Sequence, residues 1–254
     1  MRELFAFLAG YMDRNEAALA AVTGGGGKTS LLYGLGRELA ASRRVLLSTT
    51  TKIFRPTAGE CRDLFLGPAK LCAAFIGAMP PASLLAAAAG EREGKLIGYA
   101  PEEVCALAGC GAAGAVVAEC DGSRGRSLKF YEEWEPPVPR SCGCLFAVAG
   151  IDALGETADE EHIFRADRFR ALHGMAEGAK VSAADYLSYL RHPEGPLKNA
   201  PRGAKKMLLL NKWERAGEEA RREFAEAVPS LLDSYDAAAF VSMRLNILYD
   251  CRER

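Results

Sequence analysis

The sequence predicts an α/β fold in which a mainly parallel sheet carries helices on both faces. Apolar runs of strand length alternate with segments of helical periodicity along most of the 254 residues. The apolar runs are continuous, which is typical of parallel strands buried on both faces. With 49% hydrophobic and 26% charged residues the chain can bury a large core, and we expect one domain over residues 1–254, with 152–204 as a largely helical insertion.

The individual elements follow from these patterns. Leucines at positions 31, 32, 35 and 39 have helical spacing, and Pro101 with two acids after it marks a helix start. Strands are predicted at 18–22, 43–51, 62–67, 114–121, 144–150, 205–212 and 237–243. Helices are predicted near the N-terminus, at 28–42, 69–79, 101–109 and 213–228, and through most of 156–191. A hairpin is predicted at 83–99, with GEREGK as its turn.

Charge and composition limit the classes of partner. A formal net charge of -1 gives no basic field for nucleic acid or an anionic membrane, so we expect a small-molecule or protein partner. No uncharged apolar segment reaches the ~18 residues of a membrane span, and the N-terminal segment lacks a signal-peptide pattern, which predicts a cytoplasmic location. The eight cysteines are scattered, as expected of reduced thiols, and the close pair Cys142 and Cys144 lacks zinc-site spacing.

A run of four glycines stands between a predicted strand and a predicted helix, in the segment AVTGGGGKTS at residues 21–30. Such a loop can turn successive backbone N–H groups around a phosphate, and the helix N-terminus adds about half a positive charge. Lys28 would contact the terminal phosphates, and the Thr29 hydroxyl would bind Mg²⁺. The predicted nucleotide-binding residues of this segment are Thr23, Gly24, Gly25, Gly26, Gly27, Lys28, Thr29 and Ser30. Without a ligand, Lys28 is expected to be exposed.

The spacing of this loop differs from the usual G-x-x-x-x-G-K-[ST] pattern, because Val22 occupies the position of its first glycine. The pattern present, T-G-x-x-G-K-T at residues 23–29, resembles the shorter loop of the murein and folylpolyglutamate ligases. The alternative is a flexible glycine turn that binds nothing.

Two acids at the end of a later strand are the predicted partners of this loop. Glu119 and Asp121 alternate with Cys120, so they point to the same side of an extended chain. Buried charges need a partner, and Mg²⁺ held together with Thr29 would supply one. The pattern does not decide which of the two acids binds the metal, so Glu119 and Asp121 are both candidate ligands. We favour Asp121, directly or through water, with Glu119 to orient or activate the attacking group. The alternative is a solvated pair of acids at a strand end.

Two further groups of polar residues extend the predicted site. Arg124, Arg126 and Lys129 follow the acids and would stabilise charge in phosphoryl transfer or bind a second anionic substrate. Thr50, Thr51 and Lys52 end the second predicted strand and would contact the γ-phosphate or its metal. A solvated loop and ordinary strand residues are the respective alternatives.

The segment LLLNKWE at residues 208–214 is similar to the N-K-x-D element with which many GTPases read guanine. Asn211 and Lys212 would form the wall of a base pocket, but Glu214 stands where the aspartate is usual. One extra methylene changes the reach of the carboxylate, so the pattern leaves ATP and GTP both open. An ordinary strand-to-helix turn is the alternative.

Five motifs in a fixed order identify a family resemblance: VTGGGGKTSL, STTTKIF, VVAECDGSRGRSLKF, HPEGPLKNAP and LLLNKWE. The set resembles the YqeC family, which is associated with the maturation of selenium-dependent molybdenum hydroxylases. The resemblance implies a P-loop NTPase-like accessory protein whose partner is such a hydroxylase or its cofactor. The residues predict binding of ATP or GTP with Mg²⁺. They leave three functions open: NTP hydrolysis, a small-molecule kinase or ATP-dependent ligase, and a non-catalytic nucleotide-gated binding module.

Overall fold

The architecture of residues 2–254 is described by a computed structural model. Its α-helices are α1 (Leu4–Arg14), α2 (Lys28–Ala40), α3 (Ala69–Ala78), α4 (Pro101–Gly109), α5 (Ala166–His173), α6 (Ala183–Arg191) and α7 (Glu218–Leu231). Its strands are β1 (Arg2–Glu3), β2 (Leu19–Gly24), β3 (Val45–Thr49), β4 (Lys52–Phe54), β5 (Asp63–Leu66), β6 (Leu84–Ala88), β7 (Gly90–Arg92), β8 (Lys95–Ile97), β9 (Ala115–Glu119), β10 (Leu128–Lys129), β11 (Cys144–Gly150), β12 (Ile163–Phe164), β13 (Lys205–Asn211), β14 (Ala237–Ser242) and β15 (Ile247–Glu253).

The central sheet has ten strands in the order β1-β15-β14-β13-β11-β2-β9-β3-β6-β5. The strands from β14 to β5 are parallel, and β15 and β1 add an antiparallel edge. Strand β2, which leads into the glycine loop, lies between β11 and β9. The predicted α/β fold with a mainly parallel sheet is therefore confirmed.

Both faces of this sheet are buried, because its parallel strands are continuously apolar. Along β2, Leu19 and Ala21 belong to one apolar cluster, whereas Ala20 and Val22 belong to the other. Because successive side chains of a strand point to opposite faces, an uninterrupted apolar run supplies both clusters at once. Helices α1 and α2 cover one face, and α3, α4, α5, α6 and α7 contribute to the core on the other.

The predicted hairpin at 83–99 is wrong in its first half. Strand β6 pairs in parallel with β3 and β5 in the central sheet. The hairpin that does form joins β7 to β8, and β8 also pairs with β4 to make a separate three-stranded sheet. A short apolar run does not specify which strand will accept its hydrogen bonds, so the sequence could not distinguish the two arrangements.

Three other predicted segments differ from the structure in extent. The strand predicted at 43–51 ends at Thr49, whose Oγ1 accepts a hydrogen bond from the Thr51 N–H and turns the chain out of the sheet. Helix α7 begins at Glu218, after a 3-10 turn at Trp213–Arg215. The region 152–204 contains α5 and α6 with turns between them, so it is less helical than expected.

Strand β15 was not predicted, since its sequence ILYDCRE mixes apolar and charged residues at a half-exposed edge.

Within residues 2–254, none of the helices has the length and apolar character required to cross a bilayer.

Candidate functional site

The glycine loop connects β2 to α2 and packs directly against backbone and side chains of neighbouring strands. A Cβ atom added to Gly24 would lie 2.0 Å from the Val148 carbonyl oxygen, and one added to Gly27 would lie 2.3 Å from Asn211 Nδ2. Gly24 also has a φ of +95°, which L-residues with side chains rarely adopt. Glycine is therefore required at both positions because neighbouring atoms lie too close for a Cβ, and at Gly24 also because of its backbone conformation.

Substitution of Gly24 by alanine is expected to lower the free energy of unfolding by about 1–3 kcal/mol or more, because the new methyl group overlaps a strand carbonyl. Chemical denaturation would measure the loss. Gly109→Ala is the matched control, since a Cβ at Gly109 meets nothing within 4 Å. Equal stability of the two variants would contradict this close packing of Gly24 against Val148.

Three of the four loop amides are already occupied. The N–H of Gly24 donates to Asp121 Oδ2 (3.0 Å), that of Gly25 to the Val148 carbonyl (2.9 Å), and that of Gly26 to the Arg126 carbonyl (2.8 Å). The expectation that all four glycines present N–H groups to a ligand is thus wrong for these three. The N–H groups of residues 27–30, at the start of α2, donate no hydrogen bond to any residue between 2 and 254. The open amides therefore belong to the helix N-terminus.

Lys28 is buried, with 3% of its surface exposed, rather than exposed as expected. Its Nζ donates to the Gly24 carbonyl (2.6 Å) and to Ser123 Oγ (3.1 Å). The same ammonium lies 3.0 Å from Asp121 Oδ1 and 3.9 Å from Glu119 Oε1. Lys28 is thus held under the loop by two acids at the end of β9 and just after it.

The two acids have different surroundings. Glu119 lines the cavity, and its Oε2 accepts a hydrogen bond from Thr29 Oγ1 (3.0 Å). Burial raises the pKa of Glu119, although the nearby Lys28 ammonium lowers it. Asp121 is completely buried and does not line the cavity. The geometry favours Glu119 as the direct ligand of a cation beside Thr29, and so corrects the expected preference for Asp121.

A cavity of about 460 Å³ opens in front of the loop, at the carboxyl edge of the parallel strands. The predicted site residues that line it are Gly26, Gly27, Lys28, Thr29, Ser30, Lys52, Glu119, Arg124, Asn211, Lys212 and Glu214. The lining residues that sequence reasoning missed are Ile53, Phe54, Lys95, Gly122, Ser123, Gly125, Arg215, Met243 and Arg244. Lysines and arginines outnumber the two lining carboxylates, so the cavity attracts anions.

Comparison with known proteins assigns the family. A family model described as YqeC protein matches residues 20–167, which is more than half of the chain. The chain belongs to the YqeC family. A curated relative, described as "Uncharacterized protein YqeC" of Escherichia coli (strain K12), is 36% identical over 205 residues, covering 79% of this chain and 78% of that protein. No solved structure matches the chain.

Several predicted site residues of this YqeC-family protein do not line the cavity. Thr23 Oγ1 donates to the Pro196 carbonyl (3.2 Å), and neither residue lines the cavity. Thr50 and Thr51 lie where the chain leaves the sheet, and only the following Lys52 reaches the cavity wall. The Arg126 side chain points away from the cavity, since its Nε donates to the Glu160 carbonyl (2.6 Å). None of these four side chains is placed to contact a ligand in the cavity directly.

Lys129 is completely buried behind Asp121 instead of facing the cavity. Its Nζ lies 3.9 Å from Asp121 Oδ2 and 3.4 Å from Glu135 Oε1, and 4.8 Å from the centre of the Tyr131 ring. Burial lowers the pKa of this ammonium, against the opposing effect of the two acids. Lys129 therefore contacts Asp121 from the protein interior and does not line the cavity.

Asn211 connects the loop to the end of β14. Its Nδ2 donates to the Gly26 carbonyl (2.7 Å), and its Oδ1 accepts a hydrogen bond from the Met243 N–H (2.9 Å). Lys212 donates through Nζ to Ser127 Oγ (2.8 Å) and Asp152 Oδ2 (2.7 Å), which fixes its side chain at the cavity wall. The predicted Asn-Lys pair thus has a structural function as well as a place at the cavity.

The missed residues differ in whether the sequence contained a signal for them. Met243 and Arg244 follow β14 directly, so the rule that ligands bind at the carboxyl ends of parallel strands would have found them. Phe54 and Lys95 come from β4 and β8, whose pairing the sequence did not indicate. Among residues 2–254, no cluster of three or more His, Cys, Asp or Glu side chains has the arrangement of a metal site.

Proposed function

We propose that this protein binds a nucleoside triphosphate with Mg²⁺ in the cavity and hydrolyses it as an accessory protein in the maturation of a selenium-dependent molybdenum hydroxylase. The observation that carries the proposal is the set of open N–H groups at residues 27–30, which meets Lys28, Thr29 and Glu119 at one end of a cationic cavity. Backbone N–H groups, a helix dipole and a lysine together form a site for a polyphosphate. The hydroxylase pathway rests on the family resemblance.

The chemistry of the donor set fits Mg²⁺. The Thr29 hydroxyl and the Glu119 carboxylate are hard oxygen ligands 3.0 Å apart, and Mg²⁺ prefers few protein oxygens together with phosphate oxygens. When bound there, Mg²⁺ would neutralise charge on the phosphates. Lys28 would bind phosphate oxygens, Arg124 would stabilise charge from the cavity wall, and Glu119 would also orient the attacking water.

A small-molecule kinase is the second candidate, favoured by the part of the cavity wall that β4 and β8 supply. Phe54 is 73% exposed, and the Lys95 ammonium lies 4.9 Å from the centre of its ring. An aromatic ring beside lysines in the same cavity suits an anionic acceptor with an apolar part. Such an acceptor would receive the γ-phosphate.

Phosphate release from ATP and from GTP, measured with Mg²⁺ and with EDTA, tests the proposal. Release that depends on Mg²⁺ and needs no acceptor supports hydrolysis. Turnover only after addition of a small acceptor supports the kinase. Tight binding without turnover would leave a nucleotide-gated binding module, and absence of binding would reject all three. In cells, loss of hydroxylase activity on deletion, restored by the wild-type chain, tests the pathway separately.

Glu119→Gln is expected to weaken Mg²⁺-dependent nucleotide binding or hydrolysis by at least about 10–100-fold, the usual cost of altering even a group that only hydrogen-bonds a metal ligand. The amide oxygen can still accept the hydrogen bond from Thr29. Thermal unfolding should change little, because the substitution removes a buried carboxylate whose pKa is already raised. Glu226→Gln, on the exposed side of α7, is the control. Unchanged Mg²⁺ dependence would remove Glu119 from the metal site.

A further inference from the structure

We propose that the cavity selects guanine nucleotides, with the Glu214 carboxylate accepting hydrogen bonds from the N1–H and the 2-amino group of the base. This inference rests on the proposed nucleotide binding and names the nucleotide. It starts from an unsatisfied group: Glu214 Oε2 is buried and has no hydrogen-bond partner between residues 2 and 254, although Glu214 lines the cavity.

The environment of Glu214 leaves acceptor capacity on both of its oxygens, because Oε1 has only a long contact with Arg244 and Oε2 has none between residues 2 and 254. Oε1 lies 3.5 Å from Arg244 Nη2, an exposed cation that holds the carboxylate from the solvent side. Oε2 has no such partner. A buried acceptor without a donor is costly and rare in native proteins, and a ligand that brings N–H groups would remove that cost.

The fold places Glu214 at a fixed position relative to the glycine loop. The 3-10 turn at Trp213–Arg215 follows Lys212, whose φ of +64° redirects the chain after β13. Trp213 anchors this turn in the core, 4.2 Å between ring centres from Phe240. The Asn211 amide, which donates to the Gly26 carbonyl, fixes the turn against the loop itself. A nucleotide whose phosphates lie at the start of α2 would thus have its base in the same cavity, which Glu214 also lines.

The pairing edges of the two purines differ in what they offer a carboxylate. Guanine presents two adjacent donors, N1–H and the 2-amino group, which match two acceptor oxygens. Adenine presents an acceptor, N1, beside its amine, so one carboxylate oxygen would face a lone pair. A paired contact of this kind distinguishes bases by about 1–3 kcal/mol, which corresponds to roughly 5–150-fold in affinity. Guanine is therefore the base that Glu214 favours.

Calorimetric titration with GDP, ADP and xanthosine diphosphate (XDP) tests this assignment. The wild-type protein should bind GDP about 10–100-fold more tightly than ADP or XDP. In Glu214→Gln, the amide oxygen can still accept from N1–H while the amide NH₂ donates to the carbonyl that xanthine carries in place of the amine. The variant should therefore lose affinity for GDP and gain affinity for XDP.

The control is Glu219→Gln, the same chemical change at an exposed position of α7 outside the cavity, which should keep the wild-type order of affinities. Equal binding of GDP and ADP by the wild-type protein would overturn the guanine assignment and leave nucleotide binding standing. Loss of GDP binding in Glu214→Gln without a gain for XDP would overturn it too. Failure of every diphosphate to bind the folded wild-type protein would instead reject the proposed function.

Discussion

Replacing Asp121 with asparagine is expected to lower the free energy of unfolding by about 3–5 kcal/mol, the cost of breaking a buried ion pair. The Asp121 carboxylate lies between two buried lysines, 3.0 Å from Lys28 Nζ and 3.9 Å from Lys129 Nζ, and also accepts the Gly24 N–H. An asparagine of the same shape would keep one acceptor and remove the charge. Both ammonium groups would then lose the shared anion.

Denaturant unfolding of the ligand-free protein measures this effect. Asp233→Asn, an exposed aspartate, is the matched control and should change stability little. Adding Lys129→Met to Asp121→Asn should recover part of the loss, because it removes one of the two buried cations that the Asp121 charge had neutralised. Glu135 would keep its contact with Arg165 (2.6 Å) in that double variant. A loss below about 1 kcal/mol, typical of an exposed pair, would show that Asp121 is not shared in this way.

Lys28→Ala is expected to weaken binding of the nucleotide by about 1.5–3 kcal/mol, or roughly 10–150-fold, through loss of a charge-assisted contact with phosphate. Unlike a lysine in an open loop, Lys28 is buried against Asp121 and Glu119, so the variant should also be less stable. The two effects have different origins. The first concerns the ligand, and the second concerns two acids left beside a missing cation.

Two measurements separate the effects of Lys28→Ala. Calorimetric titration well below the unfolding temperature reports nucleotide affinity, and denaturant unfolding without nucleotide reports stability. Lys70→Ala, on the exposed face of α3, controls for loss of a lysine elsewhere. Equal nucleotide affinity before and after the change would remove Lys28 from the phosphate site, whatever its stability. An unchanged stability would contradict the buried cluster.

Much of the fold was predictable because its signals are local. The continuous apolar runs of β2, β9, β11, β13 and β14 indicated a parallel sheet, and the leucine spacing of α2 indicated its helix. The pairing of β6, β7 and β8 was not predictable, because a short apolar run does not identify its neighbour. The three-stranded sheet of β4, β8 and β7, which brings Phe54 and Lys95 to the cavity, depends on that pairing.

The residues of the candidate site likewise fall into two groups, those that local sequence patterns predict and those whose position depends on tertiary contacts. A glycine-rich turn before a helix and acids after a strand are local patterns. The sequence could therefore identify Lys28, Thr29 and Glu119 as site residues. The buried position of Asp121 behind the loop could not be predicted, because the pattern does not say which of two alternating acids faces the ligand. Its contacts with Lys28 and Lys129 bury it behind the loop.

By itself the sequence determined that a buried strand, a glycine turn and a helix follow one another, because each of these depends on residues a few positions apart. Only the tertiary structure decided which amides stay open, since Gly25 and Gly26 donate to carbonyls of Val148 and Arg126. It also decided that Asn211 meets Gly26 across 185 positions of chain. This contact forms because β2 and β13 run parallel in one sheet on either side of β11, and no local pattern encodes that arrangement.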